Sequence, residues 1–520
     1  MDDYLFSGVT HTASTDALFK VYEGILGRFP DEAGFKFWSN QLSNGSSLTD
    51  IVGAFTKAAE FNNYAVTNKQ FVDHLYDTAL QRNPDVSGET YWISNLETGK
   101  LTKLQVAVTF IQSSEFNSKF QKYDSSAQSY GSGSSTAFST SGSNIIDSSG
   151  TSVNLDSANW FGAEGTAQLP QGLYNRGYEG MLDAIQAQKF DTVRLPFSQD
   201  TLTSTSKVIK TYDANGNYTG LSLNGSYINP WADRGENAGL EGLTPLQIMD
   251  EIVQYADKIG LKIVLDHHRM TAGDGGTENG LWYIPGSSTY TVQSWQDNWE
   301  MLAARYAGNK SVIGADLQNE PYQGTWGDGG TNDWAAAATQ MGNLIHVKNP
   351  NWLIFVEGTQ TYNGQSYFWG GNLMGVQSHP ITLNIPNKVV YSPHDYGPSV
   401  ANQSWFSASN YPDNLPAIYD QYWGYIYKNN IAPIWVGEMG GAITTNGQTT
   451  QAEATGTQQY LSEITTYMKT GGTMTALPTG KSPMSWAIFA WNNINTDVQG
   501  IMNSDWTTIN TPLYNYLKFS

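Results

Sequence analysis

Leu261-Lys-Ile-Val-Leu-Asp266 and Val312-Ile-Gly-Ala-Asp-Leu317 are short apolar runs that carry an acidic residue near their far end. The stretches Leu246-Gln-Ile-Met-Asp-Glu-Ile-Val-Gln-Tyr-Ala256 and Trp295 to Tyr306, one before each run, have the apolar spacing of helices. Continuous apolar strands between helices imply a parallel sheet buried on both faces. The pattern recurs at Asp191-Thr-Val-Arg-Leu-Pro196, Trp352-Leu-Ile-Phe-Val-Glu357, Val389-Val-Tyr-Ser-Pro393, Ile434-Trp-Val-Gly-Glu438 and Ser485-Trp-Ala-Ile-Phe-Ala-Trp491. With one more strand near Val153 to Trp160, residues 144–520 are expected to form an α/β fold, a (β/α)8 TIM barrel with long loops. A doubly wound open sheet fits less well, because no Gly-rich phosphate loop follows the first strand.

Composition narrows the chemistry. The chain has 520 residues, enough for a large catalytic domain plus an accessory module. Its 27 basic and 47 acidic residues leave a net charge of −20, which disfavours nucleic acid and anionic lipid as partners. Charged residues are only 14% and aromatics reach 13%, with 17 Trp and 30 Tyr, a balance suited to stacking flat uncharged ligands such as sugars. Cysteine is absent, so disulfides, thiolate metal sites and Cys nucleophiles are excluded. No apolar run approaches the ~20 residues that span a bilayer. The opening Met1-Asp2-Asp3-Tyr4 has no basic or apolar leader character, so no cleavable signal peptide is expected.

The first 122 residues contain an internal repeat. Ala17, Leu18, Val21, Tyr22, Ile25 and Leu26 recur 54 positions on as Phe71, Val72, Leu75, Tyr76, Ala79 and Leu80, the spacing of one buried helix face. Arg28-Phe29-Pro30-Asp31 recurs as Arg82-Asn83-Pro84-Asp85, then Gly34 and Trp38 as Gly88 and Trp92, and each unit closes on Glu-Phe, at Glu60-Phe61 and Glu115-Phe116. Residues 1–122 are therefore expected to be a small all-α domain of two related units, with Trp and Tyr at core positions and the Arg paired locally. Residues 123–143 read as a flexible linker: positions 125–143 hold nine Ser, three Gly and two Thr. The repeat resembles a bacterial domain of unknown function found as tandem units in secreted and surface-associated proteins.

In a TIM barrel the C-terminal strand ends line the active face. Those ends carry Arg194, Asp266-His267-His268-Arg269, Asn319-Glu320-Pro321, Glu357, His394-Asp395-Tyr396, Glu438 and Trp491. Two glutamates on different strands suit glycosidic bond cleavage, which needs one protonated acid at the leaving oxygen and one ionised carboxylate at the anomeric carbon.

Leu317-Gln-Asn-Glu-Pro321 and Trp435-Val-Gly-Glu-Met-Gly440 resemble the acid/base and nucleophile motifs of glycoside hydrolase family 5. The likeness runs through Asn159-Trp-Phe-Gly162, Val193-Arg-Leu-Pro196, Leu265-Asp-His-His-Arg269, Leu281-Trp-Tyr283, Tyr367-Phe-Trp-Gly-Gly-Asn-Leu373, Ser392-Pro-His-Asp-Tyr396 and Ile431-Ala-Pro433, and is closest to the bacterial endoglucanase branch. The resemblance implies Glu320 as acid/base, Glu438 as nucleophile held by Arg194 and Tyr396, and Asn319 on the sugar 2-hydroxyl. It also implies His268 and His394 around the −1 sugar and the carboxylates, Trp491 as the platform under the −1 ring, and Trp282 and Trp369 at further subsites. His267 and Glu357 are read as structural. The implied activity is a retaining endo-β-1,4-glucanase acting on cellulose or related β-glucans, outside the cell, as a monomer and without cofactor or metal. Mannan, xyloglucan or mixed-linkage glucan are alternative substrates for such a barrel. An alternative of another class is a non-catalytic carbohydrate-binding protein.

The chain departs from relatives in several loops. Met270 stands where relatives have Pro, Asn492 to Gly500 replace an Asn-Pro and Gly-Gly loop, and residues 199–240 are longer than usual. Gly273–Asn279 and Gly327–Asp333 carry oxygen ligands but match no calcium-loop pattern, and are read as surface turns.

Overall fold

The structure, a computed structural model, describes residues 13–26, 32–58, 61, 67–80, 82, 84–119, 137–274, 278–473, 477 and 479–518. Arg28–Asp31, Glu60, Asn83, Met1–Tyr4, part of the Gly273–Asn279 loop and most of the Ser/Gly stretch lie outside them. Contacts group the chain into two units: residues 1–133 with 173–181 and 205–244, and residues 134–172, 182–204 and 245–520.

The second unit is a closed barrel. Its strands are β1 (Asp156–Asn159), β2 (Thr192–Ser198), β3 (Lys262–Arg269), β4 (Val312–Asp316), β5 (Leu353–Val356), β6 (Val389–Tyr391), β7 (His394–Tyr396), β8 (Trp435–Gly440) and β9 (Ser485–Ile488). They pair in parallel in the order β6-β5-β4-β3-β2-β1-β9-β8-β7. β6 and β7 are two halves of one expected strand, interrupted at Ser392-Pro393, where proline offers no N–H to a ladder. The ring closes where Tyr391 bridges Ile434 in parallel, its N–H donating to Pro433 O at 3.1 Å. All eight expected strand positions are thus occupied, and the (β/α)8 expectation holds.

Side chains of opposite strands fill the barrel. Leu155, Val264, Ile313, Leu353, Phe355, Val390, Trp435 and Ala487 form one interior cluster, joined by Phe138 and Ile145. Those last two belong to a hairpin, Ser139–Ser141 against Asn144–Ile146. The hairpin bonds to the chain just ahead of β6, β8 and β9, through Thr140 to Asn387, Ser143 to Asn430, and Asn144 to Ser482. It therefore seals the N-terminal end of the barrel, and the stretch read as linker to 143 includes at its end the Ser139–Ser141 strand of this hairpin. Burial of Phe138 outweighs the flexible composition around it.

Several of the helices between strands start on side-chain caps. Thr291 and Thr450 each make a capping box, opening Val292–Arg305 and Gln451–Thr470. Pro245–Ile259 and Val292–Arg305 correspond to the two helices expected from apolar spacing.

In the first unit, Ala13–Val21, Glu32–Ser43, Leu48–Phe55, Asn68–Thr78, Val86–Glu97, Lys103–Gln112 and Ser114–Lys119 are α-helical, as expected. Leu18, Val21, Tyr22, Ile25 and Leu26 share one core with Phe71, Val72, Leu75, Tyr76, Ala79 and Leu80. Arg82 pairs with Glu115 at 2.5 Å and lies over the Tyr76 ring. Within the same unit, residues 209–228 form a three-stranded antiparallel sheet.

Candidate active site

Strand register brings the polar strand ends together. Asn159 lies beside Arg194, Asp266 beside Asp316, and His394 beside Glu438. Beyond β4 the chain is pinned from outside: the indole N–H groups of Trp295 and Trp299 both donate to Leu317 O at 3.0 Å. Asn319 N–H donates to His267 O at 3.0 Å. Glu320 then takes a left-handed backbone, φ +44°, which is unfavourable for a residue with a Cβ and must be held by its surroundings.

Arg194 is the hub. Its guanidinium is fully buried and donates to Glu438 Oε1 at 2.6 Å, Asp316 Oδ2 at 2.9 Å, Asn319 Oδ1 at 3.0 Å, Asn159 Oδ1 at 3.1 Å and Glu357 Oε1 at 3.1 Å. Asp266 Oδ2 sits 3.1 Å from the same group. Buried charges need such pairing. Tyr396 Oη donates to Glu438 Oε2 at 2.5 Å. Burial works against the Glu438 charge, but His394, Arg194, His268 and the Tyr396 hydroxyl hold its pKa below the ordinary glutamate value.

The histidines divide by environment. His268 Nδ1 contacts Asp266 Oδ2 at 2.6 Å; burial opposes its charge, but Asp266 outweighs it and raises the pKa to about 9. His267 Nδ1 meets the neutral Gln318 at 2.9 Å, and burial lowers its pKa to about 4. His394 stands between three glutamates: Nδ1 is 3.1 Å from Glu320 Oε1 and 3.5 Å from Glu438 Oε2, and Nε2 is 3.1 Å from Glu357 Oε1. Its burial is overcome by Glu357, Glu438 and Glu320, so its pKa lies well above that of free histidine. Asp316 is pushed well above the usual carboxylate range, first by burial and then by the Glu357 charge, with Arg194 beside it working the other way.

Glu320 and Glu438 face each other with carboxylate oxygens within 4.8 Å, His394 completing the group. Among the described residues, Asp316, Glu357 and His394 also bring oxygen and nitrogen atoms within 4.8 Å of one another. Arg194 already donates to both of those carboxylates, which leaves no centre for a cation.

The structure thus gathers Arg194, His268, Asn319, Glu320, His394, Tyr396 and Glu438 at one end of the barrel. It corrects two aromatics. Trp491 is 0% exposed and makes a T-shaped contact with Phe190, as does Trp486, so it cannot be a sugar platform. Ala487 points into the barrel, and a period of two from it reaches Phe489, a partly exposed ring stacked on Phe161 and edge-on to Tyr396. The same period reaches Trp491, so the spacing alone does not separate the two. Trp282 is 2% exposed and lies among Trp295 and Trp334, so it is core. Trp369 is 42% exposed and stacks on Tyr322 at 4.1 Å between ring centres. Its loop is anchored by Tyr367, whose hydroxyl donates to the buried Asp395 at 2.5 Å. Glu357, read from sequence as a structural acid, touches both Glu320 and His394.

A closed (β/α)8 barrel with two facing glutamates, an arginine and histidines at its C-terminal rim is the arrangement of a glycoside hydrolase. Residues 146–494 match the family described as Cellulase (glycosyl hydrolase family 5), and residues 10–65 and 55–120 match, in tandem, a domain of unknown function, DUF4214. An endoglucanase of Paenibacillus polymyxa is 39% identical over 380 residues, 72% of this chain and 84% of that one. The major extracellular endoglucanase of Xanthomonas campestris is 33% identical, over 70% of this chain and 67% of that one. A solved endocellulase of Pyrococcus horikoshii, a variant in complex with cellotetraose, is 32% identical with a TM-score of 0.60, covering 74% of this chain and 99% of that one. The chain belongs to glycosyl hydrolase family 5.

Proposed function

We propose that this enzyme is a retaining endo-β-1,4-glucanase that works by double displacement on cellulose or a related β-glucan. The observation that carries the reading is the close approach of the Glu320 and Glu438 carboxylates, within 4.8 Å between oxygens. An approach that close suits direct attack by one carboxylate, as in retaining enzymes, whose carboxyl groups lie about 5–5.5 Å apart. The endoglucanase names of the relatives, and the cellotetraose held by the Pyrococcus enzyme, support the choice of glucan.

Glu438, ionised by Arg194 and Tyr396, attacks the anomeric carbon from one face. Glu320 gives its proton to the departing glycosidic oxygen, the C–O bond breaks, and a glycosyl ester on Glu438 forms. Glu320, now a carboxylate, takes a proton from water, whose oxygen attacks the same carbon and releases Glu438. Two inversions give net retention. Asn319, held by Arg194, meets the 2-hydroxyl, and His268 and His394 border the −1 sugar. Phe489 takes the platform position in place of Trp491, while Trp369 and Tyr322 offer a stacking face further along the cleft. The enzyme acts outside the cell, like its Xanthomonas relative, with residues 1–122 as an accessory module.

Initial product analysed by proton NMR should be the β-anomer. Glu320→Ala should lose cleavage of glucan but keep glycosylation by an activated aryl glycoside, and azide should restore turnover as the β-glycosyl azide. Glu438→Ala should be inactive on both substrates, azide yielding the α-product. An α-anomer from the native enzyme would overturn the retaining mechanism, and exchanged azide products would exchange the two roles.

A further inference from the structure

The two facing glutamates are held by different partners. Glu438 is held by Arg194 and Tyr396. Glu320 is held through both its main chain and its carboxylate, and both holds lead to Glu357. The Glu320 N–H donates to Glu357 Oε2 at 2.7 Å, at the residue whose φ is +44°. The Glu320 carboxylate meets His394 Nδ1 at 3.1 Å, and the other nitrogen of that ring lies 3.1 Å from Glu357 Oε1.

Glu357 is itself fixed. It follows β5, its side chain is fully buried, and its carbonyl accepts from the Trp334 indole at 2.8 Å. Burial raises its pKa, while His394 and Arg194 beside it work to keep it a carboxylate. Gly370, at φ +71°, passes directly over the junction: a Cβ there would lie 2.4 Å from Glu357 Oε2 and 3.5 Å from Glu320 Cγ. A side chain at 370 would displace the carboxylate from the Glu320 N–H.

We propose that Glu357 is the positioning residue of the acid/base, one oxygen holding the Glu320 main chain in its left-handed turn and the other holding His394 against the Glu320 carboxylate. The inference rests on the reading of Glu320 as acid/base given above. A general acid works only when its proton is aimed at the leaving oxygen, so loosening this clamp costs most where the leaving group needs that proton.

The test compares Glu357→Gln and Gly370→Ala with the native enzyme on cellotetraose and on a dinitrophenyl β-cellobioside. It also measures cellotetraose affinity and thermal unfolding. Gln keeps the size but replaces one acceptor oxygen by a donor. We expect a loss of about 100-fold in kcat/KM on cellotetraose and less than about 5-fold in the glycosylation burst of the dinitrophenyl substrate, with cellotetraose affinity within about 3-fold. Should Glu357→Gln fail to fold, Gly370→Ala must show the same leaving-group dependence. Equal losses on both substrates, or near-native activity of either folded variant on cellotetraose, would overturn the proposal. Glu320→Ala in the same series separates the two readings: if it lacks the leaving-group dependence, the acid/base assignment fails rather than the clamp.

Discussion

Tyr396 shows how one hydroxyl sets the working range of a carboxylate. Its hydroxyl donates to Glu438 Oε2, and the bond favours the ionised form of that carboxylate, the nucleophile proposed above. Tyr396→Phe removes a stabilising donor from a buried anion, so the Glu438 pKa must rise. The catalytic form is the carboxylate, populated above that pKa, so the acid limb of the kcat/KM profile should move to higher pH. On the order of 10–100-fold in kcat/KM should be lost at neutral pH, as for a buried hydrogen bond to a charged group worth ~1.5–3 kcal/mol. An unmoved acid limb would mean that the hydroxyl does not govern the ionisation. Arg194 and the two glutamates were legible as residues because each lies within or just beyond an apolar run. Glu357 also ends one, but which neighbours it touches depends on strands far apart in the chain.

Elements decide which aromatics meet sugar. Leu281–Tyr283 and Tyr367–Leu373 both follow strands and both carry a Trp, and composition does not distinguish them. The helices Val292–Arg305 and Trp334–Lys348 bring Trp295 and Trp334 against Trp282, whereas the Trp369 loop, tied to Asp395, leaves its ring open beside Tyr322. Trp282→Ala should therefore destabilise folding by about 3–5 kcal/mol in urea titration, the cost of a large aromatic removed from a packed core. Trp369→Ala should leave the unfolding midpoint unchanged and raise KM for long glucans several-fold, with kcat on a short aryl glycoside preserved. The reverse pattern would exchange their places.

At the scale of the whole molecule, every residue of the candidate site belongs to the unit of residues 134–172, 182–204 and 245–520. The helical repeat has a hydrophobic core of its own. Removing residues 1–122 should leave activity on soluble glucan within a few-fold. A fall of two orders of magnitude in kcat, with the barrel still folded by circular dichroism, would show that the module takes part in the reaction.

The eight strands and the helical repeat were readable from sequence, because apolar period is a local property of the chain, and the family was readable from the resemblance of motifs such as Leu317–Pro321 and Trp435–Gly440. The fate of each aromatic was not. Trp491 and Phe489 lie two apart beyond β9, and only the packing of Phe190 on one side and Phe161 on the other sends the first into the core and the second toward Tyr396. The burial of Phe138 within a Ser-rich stretch likewise depends on the open end of a barrel whose other residues come largely from six distant strands. Burial and hydrogen-bond partners are set by neighbours in space, and those neighbours exist only once the barrel has closed.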